Sequence, residues 1–440
     1  SCCGRLSLKP LRTFCSIIYT STIVIFLIFN VISLYRKTGF IQRRYMITRY
    51  KNCADGLDAV ANIYSKNENG IDASLIDKEA VSVIRRLTDM GYESYLVGGA
   101  VRDLILGRVP KDFDVATSAS QRQVHKLFYN SRIIGRRFKI VHIVYGKKII
   151  EVSTFRSNKE HEYSNDNEYG TIEEDCTRRD FSINSLYYNP LNQELIDFNN
   201  ALNDFEHKRL VSLIPLNKTF DEDPVRMIRA VKYSVTTGFK IPFKLSCAIK
   251  KYAPNIADVS TSRITEEVNK ILASGNSSDI FKRLKEYKLL VYILPAISVY
   301  ASFPQMFESL KVLDAKINSQ KDAKELSVSR AEMYLGLVKP FININDELET
   351  AQEVFPDVLR QIKVLDFPIT PPNYELESAA ALFMKENNLS VPKGAVKHRN
   401  PVEAPVRSIK HKKQITEANA KPKKRKKHYY RKPKKATEAK

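Results

Sequence analysis

Cysteine is scarce and unpatterned in this 440-residue chain. Cys2, Cys3, Cys15, Cys53, Cys176 and Cys247 form no Cys-x-x-Cys pair and no Cys/His cluster. That excludes a zinc-ribbon site and a disulfide framework, and it fits a reducing, cytoplasmic setting. Acid is missing from residues 1–50, which hold eight Lys/Arg. Charge of either sign is missing from Thr13–Tyr35, 23 residues rich in Ile, Phe and Val. That length would span a bilayer, but basic residues flank it on both sides, so they set no orientation. The first methionine is Met46. Residues 1–45 therefore stand between two readings: an anchor that associates the protein with a membrane through residues 13–35, or sequence upstream of the true start.

The other end is also poor in acid. Residues 391–440 carry eighteen Lys/Arg against three Glu, with no apolar period, and are expected to be disordered in isolation. This leaves 45 basic and 46 acidic residues in 51–390, so the net charge of +22 belongs to the ends and the body is nearly neutral. The length allows two or three domains. Helical spacing over Lys78–Met90, an apolar Tyr95–Val97, a short helix at Gln121–Phe128, and strands at Ile133–Tyr145 and Lys148–Phe155 describe a small mixed α/β layer. The polar Asn158–Asn167 segment reads as mobile. From Asp221 the pattern is helical: Asp223–Val235, Pro242–Tyr252, Ser262–Ala273, Asp279–Tyr287 and onward to about Glu386.

Chemistry is concentrated in three clusters. In Tyr95–Thr117 an apolar strand ends at Gly98-Gly99, where backbone can approach a ligand closely. The helix that follows offers free N–H groups to a phosphate. Asp112 and Asp114 then fall at i and i+2 on a second strand, so both carboxylates leave one face while Phe113 and Val115 point into a core. Two carboxylates beside a phosphate-sized gap suit metal-assisted phosphoryl or nucleotidyl transfer.

The second cluster, Glu173-Glu174-Asp175-Cys-Thr-Arg178-Arg179-Asp180-Phe-Ser-Ile-Asn184, sets paired guanidiniums beside carboxylates. That suits a triphosphate and its metals; a solvated helix start with Asp180 as N-cap fits the same residues. The third, Asp221-Glu222-Asp223-Pro224-Val-Arg226-Met-Ile-Arg229, places Asp223 at a helix N-cap and Pro224 at the first helical position. Asp223 supplies acceptors and Arg226 donors, a match to the Watson–Crick edge of adenine, and equally to that of cytosine. A capped amphipathic helix with surface arginines is the plain alternative.

In order, Gly98-Gly99-x-x-Arg102-Asp103, Asp112-x-Asp114, Arg178-Arg179-Asp180-x-x-x-Asn184 and Glu222-Asp223-x-x-Arg226 resemble the motifs of the class II nucleotidyltransferases, the bacterial-type poly(A) polymerases and tRNA CCA-adding enzymes. Ser262-Arg263-Ile264-x-x-Glu267 resembles the later helical motif of that family. The resemblance covers roughly residues 75–275. It implies an α+β protein: a polymerase-β-like head of mixed sheet and helices over 71–215, a helical neck over 216–275, a helical RNA-binding body over 276–390, and the basic tail over 391–440. It also implies two Mg²⁺, with Mn²⁺ as a substitute, on Asp112 and Asp114. Triphosphate and ribose contacts are implied at Gly98, Gly99, Arg102, Arg178, Arg179 and Asn184, and base reading at Asp223 and Arg226 with Arg229 beside them. Asp180 matches the third catalytic acid. Glu151, a strand neighbour of Asp112 and Asp114, competes with it; a salt bridge to Arg156 is its plain role. After Asp197, Asn200-Ala201 stands where the family has a Gly-Gly-containing turn, and Asn tolerates left-handed backbone where Ala does not.

Ile133–His142, Glu151–Arg156 and Ile172–Asp175 are similar to the poly(A) polymerase branch in particular, with ATP and RNA 3′ ends as substrates. The tail fits that branch. Lys423, Lys424, Arg425, Lys426, Lys427 and Arg431 would attract phosphates regardless of sequence, and Tyr429 and Tyr430 would stack on single-stranded bases. No HD-type phosphohydrolase motif occurs in the C-terminal half, which speaks against a bifunctional CCA-adding enzyme. CCA addition and a non-catalytic RNA-binding role are the alternatives carried forward.

Overall fold

The computed structural model describes residues 47–53, 56–135, 139–157, 169–320 and 328–396. The apolar stretch 13–35, the segment 158–167 and the basic run 423–431 lie outside the described residues, and with them the anchor, mobility and RNA-tail expectations. Among the described residues no helix is long and apolar enough to cross a membrane.

A nine-stranded sheet carries the N-terminal half: β1 (Ile47–Cys53), β2 (Gly56–Tyr64), β3 (Ser94–Val97), β4 (Asp114–Thr117), β5 (Ser131–Ile134), β6 (Ile140–Tyr145), β7 (Lys148–Thr154), β8 (Tyr187–Asn189) and β9 (Glu194–Asp197). The spatial order is β1-β2-β9-β8-β3-β4-β7-β6-β5. Every pair is antiparallel except β4 with β7, which run parallel. The strands begin at Ile47, upstream of the expected start at residue 71. What reads as one strand over Ile133–Tyr145 is the hairpin β5–β6, because Gly135 turns the chain at φ +97.

One sheet face packs on the helix Lys78–Asp89, whose Ala80, Val83, Ile84 and Leu87 recur at helical spacing and are buried against Leu96, Val115 and Val152. Asp77 caps that helix, its Oδ1 accepting the Glu79 N–H at 2.8 Å. The opposite face buries Val97, Ala116, Phe155, Tyr187 and Ile196 under the helix Ile172–Thr177. Asp114 opens onto this second face.

Beyond residue 215 the described structure is helical, beginning with Leu216–Glu222, one helix earlier than the periodicity suggests. Val225–Thr237, Phe243–Tyr252 and Thr261–Leu272 follow, and helices continue through Asn373–Glu386. Val225, Ile228 and Val231 are buried as their spacing requires. Their core is continuous with Phe181, Ile183 and Leu210, so the sheet layer and the first helices share apolar contacts. At the Asn200-Ala201 departure, Asn200 takes the left-handed conformation (φ +54) and Ala201 begins the helix Ala201–Glu206, so alanine bears no strain. Asp197 holds this turn by accepting the N–H groups of Asn199, Ala201 and Leu202 at 2.9–3.0 Å.

Candidate active site

Gly98 turns the chain out of β3 at φ +68, ψ −131, a backbone that side-chain-bearing residues rarely adopt. It passes close to acid and base alike. A Cβ here would lie 3.7 Å from Asp114 Oδ2 and 3.8 Å from Arg179 Nη1. Asp114 opens β4 in register with Val97 on one side and Glu151 of β7 on the other. Asp112 precedes the strand rather than lying on it, yet the buried Phe113 between the two anchors the alternation. Burial, then Glu151, then Asp112 push the Asp114 carboxyl up to about 6, against the pull of Arg179 and Lys270. Glu151 also faces His142 on β6, whose Nε2 lies 3.3 Å from Glu151 Oε1.

Opposite these carboxylates stand guanidiniums, each held by protein groups. Asp175, buried on the helix Ile172–Thr177, accepts Arg178 Nη2 at 2.7 Å, Arg179 Nη2 at 2.9 Å and the Tyr187 hydroxyl at 2.7 Å. Burial alone would raise its carboxyl; Arg179, Arg178 and Tyr187 bring it down to about 2. Arg179 also lies 5.0 Å over the Tyr187 ring, a cation–π contact. Arg102 Nη1 donates to Asn184 Oδ1 at 3.1 Å, and its guanidinium lies 5.0 Å from the Tyr233 ring centre.

Asp180 has other employment. Its Oδ1 accepts the Phe181 N–H at 2.8 Å and Asn184 Nδ2 at 3.1 Å, and its Oδ2 lies 2.8 Å from Arg229 Nη2. Burial would raise it, but Arg229 and these donors hold it below the ordinary range. Arg229 in turn donates to the Tyr233 hydroxyl at 2.9 Å. The chain Arg102–Asn184–Asp180–Arg229 thus ties the strand–turn layer to the helix Val225–Thr237. Asp180 acts on this tie, while Glu151 is the acid beside Asp114.

At the start of that helix stand Asp223, just before it, and Arg226, one turn ahead of Arg229. Asp223 Oδ1 accepts Val225 N–H at 3.2 Å, which makes it the local cap, and Arg263 Nη2 at 2.9 Å. Arg226 Nε lies 3.8 Å from Asp223 Oδ2, and its Nη1 donates to Thr219 Oγ1 at 3.0 Å. Acceptor and donor therefore stand side by side with neither used up by the other.

A carboxylate raised by burial and then by two like-charged neighbours is relieved by a cation, and this donor set of hard oxygens fits a divalent metal such as Mg²⁺. Among the described residues no three acid, His or Cys side chains form a ready-made metal cluster. A hard cation held by one or two carboxylates would complete its shell from phosphate oxygens and water. The site as a whole presents oxygens for a cation, guanidiniums for a polyanion and an acceptor–donor pair for a base.

Residues 94–211 match the family described as the poly A polymerase head domain, and residues 238–300 match that described as the probable RNA and SrmB-binding site of polymerase A. The first of these matches contains the Gly98-Gly99, Asp112/Asp114 and Arg178–Asn184 clusters. The chain is 40% identical over 253 residues to poly(A) polymerase I of Salmonella typhi, covering 54% of each chain. It is 35% identical over 222 residues to the CC-adding tRNA nucleotidyltransferase of Halalkalibacterium halodurans, covering 50% of this chain and 55% of the other. The chain thus spans about half the length of the curated relatives it matches. Among solved structures, the CCA-adding enzyme of Bacillus stearothermophilus in complex with CTP is 24% identical, covers 70% of this chain and 78% of the other, and has a TM-score of 0.46.

Three residues of this cluster escaped the sequence reading as site residues. Asp175 lies three and four residues before the arginines it holds, a helical spacing visible in the sequence. Tyr187 and Tyr233 carry no such signal, since a tyrosine at core spacing reads as packing.

Proposed function

We propose that this chain is a template-independent poly(A) polymerase, transferring AMP from ATP to RNA 3′ ends. One observation carries the proposal: Asp114, flanked by Asp112 and Glu151, lies next to Gly98 and Arg179, with the Asp223/Arg226 pair tied in through Arg229 and Asp180. In this reading the RNA 3′ oxygen attacks the α-phosphorus, the α–β bridging P–O bond breaks and pyrophosphate leaves. Asp112 and Asp114, with Glu151 as the third acid, would hold two Mg²⁺, for which Mn²⁺ can substitute. Bound there, the ions supply positive charge that acidifies the 3′-OH and offsets the charge of the leaving group.

The protein's own groups do the rest. Arg102, Arg178 and Arg179 orient the triphosphate, with Asp175 and Tyr187 fixing the last two. Gly98-Gly99 lets backbone N–H groups reach phosphate oxygens, and Asn184 with Arg178 meets the ribose. Asp223 accepts the amino group of adenine while Arg226 donates to its ring nitrogen. Head, neck and body boundaries at 71–215, 216–275 and 276–390, the last binding RNA, belong to the same proposal. So does the basic tail 391–440, as a sequence-independent attractor of RNA.

Cytosine presents the same edge to Asp223 and Arg226, and a CC-adding relative matches this chain, so tRNA CCA addition is the second reading. The deciding experiment incubates purified protein with an unstructured RNA or a tRNA lacking its terminus, Mg²⁺, and each NTP separately, then CTP and ATP together. A long tail from ATP alone supports poly(A) synthesis; C-C-A and a halt overturns it. Asp114→Ala is expected to abolish AMP incorporation while RNA binding persists, and an active variant would sink the assignment.

A further inference from the structure

One ring joins the phosphate-side arginine to the base-reading helix. Tyr233 is buried on the helix Val225–Thr237, two turns after Arg226 and on the same helix side. Arg102 comes to it from the glycine turn: its Nη2 lies 3.5 Å from where a Cβ on Gly99 would stand. The Arg102 Nε donates to Asp103 Oδ1 at 2.9 Å and the Nη1 to Asn184 Oδ1 at 3.1 Å. Its guanidinium carbon lies 5.0 Å over the centre of the Tyr233 ring. Arg229 is 5.6 Å from the same centre and donates through Nη2 to the Tyr233 hydroxyl at 2.9 Å. Lys232 Nζ, 5.3 Å from the ring centre, is taken up by Glu267, 2.6 Å away. Phe181 backs the ring edge-on, with centroids 6.0 Å apart. An aliphatic side chain could fill this place, but it would neither draw a guanidinium nor accept a hydrogen bond. The negative ring face attracts two guanidiniums that otherwise repel each other.

We propose that Tyr233 is a positioning residue: from the helix that carries Arg226, its ring holds Arg102 in the orientation that receives the triphosphate. This rests on the nucleotidyltransferase reading. An arginine that must be ordered at the moment of binding weakens affinity about 10- to 30-fold, and one ordered on folding escapes that cost. For Tyr233→Leu, affinity for ATP and for inorganic triphosphate is expected to fall about 3- to 30-fold, the range of one cation–π contact and the order it imposes. The loss should appear chiefly in KM for ATP, with KM for RNA little changed. Tyr233→Phe keeps the ring and should recover most of it.

Calorimetric titration with ATP and with inorganic triphosphate makes the test independent of turnover. Fluorinated phenylalanines placed at the Tyr233 position drain negative charge from the ring face at nearly constant shape, so affinity should fall stepwise with fluorination. That series decides the matter even where Tyr233→Leu fails to fold. With Arg102→Ala already in place, the same ring changes should cost nothing further. A wild type that binds inorganic triphosphate but transfers no nucleotide overturns the polymerase reading, and the titrations then still decide the role of the ring. A wild type that binds no triphosphate overturns both. Unchanged affinity in Tyr233→Leu, a flat fluorination series, or an equal loss with and without Arg102 overturns the positioning role. So does a Tyr233→Phe variant that binds triphosphate as weakly as Tyr233→Leu.

Discussion

The raised carboxyl of Asp114 gives the most demanding test. At about 6 it stands ~2 units above its ordinary 3.8, a difference of ~3 kcal/mol between its two protonation states. Burial is the largest cause, followed by Glu151 and Asp112. The folded pKa exceeds the unfolded one, so the stabilising contribution is complete below pH ~3.8 and is lost as pH rises through about 6. At pH 7.5 the metal-free fold therefore carries a penalty of ~3 kcal/mol, which a bound cation relieves. A cation takes only the ionised group. At pH 5 about one molecule in ten is ionised at Asp114, so cation affinity should be roughly tenfold weaker than at pH 7.5. Mn²⁺ binding followed by electron paramagnetic resonance between pH 5 and 8 measures this, and melting with and without Mg²⁺ provides a second reading. Glu151→Gln removes a like charge and should move the midpoint to lower pH, by less than about one unit because burial is the larger cause. Asp180→Asn should leave the midpoint in place, since Asp180 is engaged with Arg229 and Asn184. Affinity independent of pH across this window refutes the account of Asp114. A midpoint that follows Asp180 and ignores Glu151 refutes the choice of third acid.

Other expectations follow from the same contacts. Asp223→Ala should weaken the preference for ATP more than the rate of transfer; an unchanged nucleotide preference in competition assays would count against base reading. Asp175→Ala leaves Arg178, Arg179 and Tyr187 without their shared acceptor, so KM for ATP should rise and stability should fall by about 3 kcal/mol or more. Denaturant titration and initial rates would reveal whether either is unaffected. Asp366, at the end of the helix Ala351–Asp366, is fully buried with no hydrogen-bond partner on either oxygen, and burial pushes its carboxyl well above the ordinary range. Its contribution to stability is present below pH ~3.8 and is lost as pH rises through the folded value. Asp366→Asn should therefore raise the melting temperature at pH 8, by the equivalent of ~1–3 kcal/mol, and do little at pH 4; equal effects at both pH values would refute it.

Much of the site was legible because its motifs are local. Gly98-Gly99, Asp112-x-Asp114, Arg178-Arg179 and Asp223-x-x-Arg226 each carry their chemistry within a few residues, and turn and helix periodicities orient them. Glu151 was readable as a strand residue, but its place beside Asp114 depends on the parallel pairing of β4 with β7, which no local pattern encodes. The β5–β6 hairpin was read as one strand across Gly135, β8 and β9 were missed because strands of 3 and 4 residues signal weakly without their partners, and the longer β1 and β2 lie before the expected start of the fold.

The sequence by itself determined the helical stripes, the capped helix starts, the glycine turn and the kind of chemistry each cluster can perform, since these follow from spacing over one or two turns. Tertiary structure alone decided which acid stands next to Asp114, that Asp180 serves Arg229, and that Asp175 gathers two arginines with Tyr187. Those pairings join residues far apart in the chain through sheet register and helix packing. The charge that raises Asp114 or draws Asp180 down therefore exists only once the fold has closed the distance.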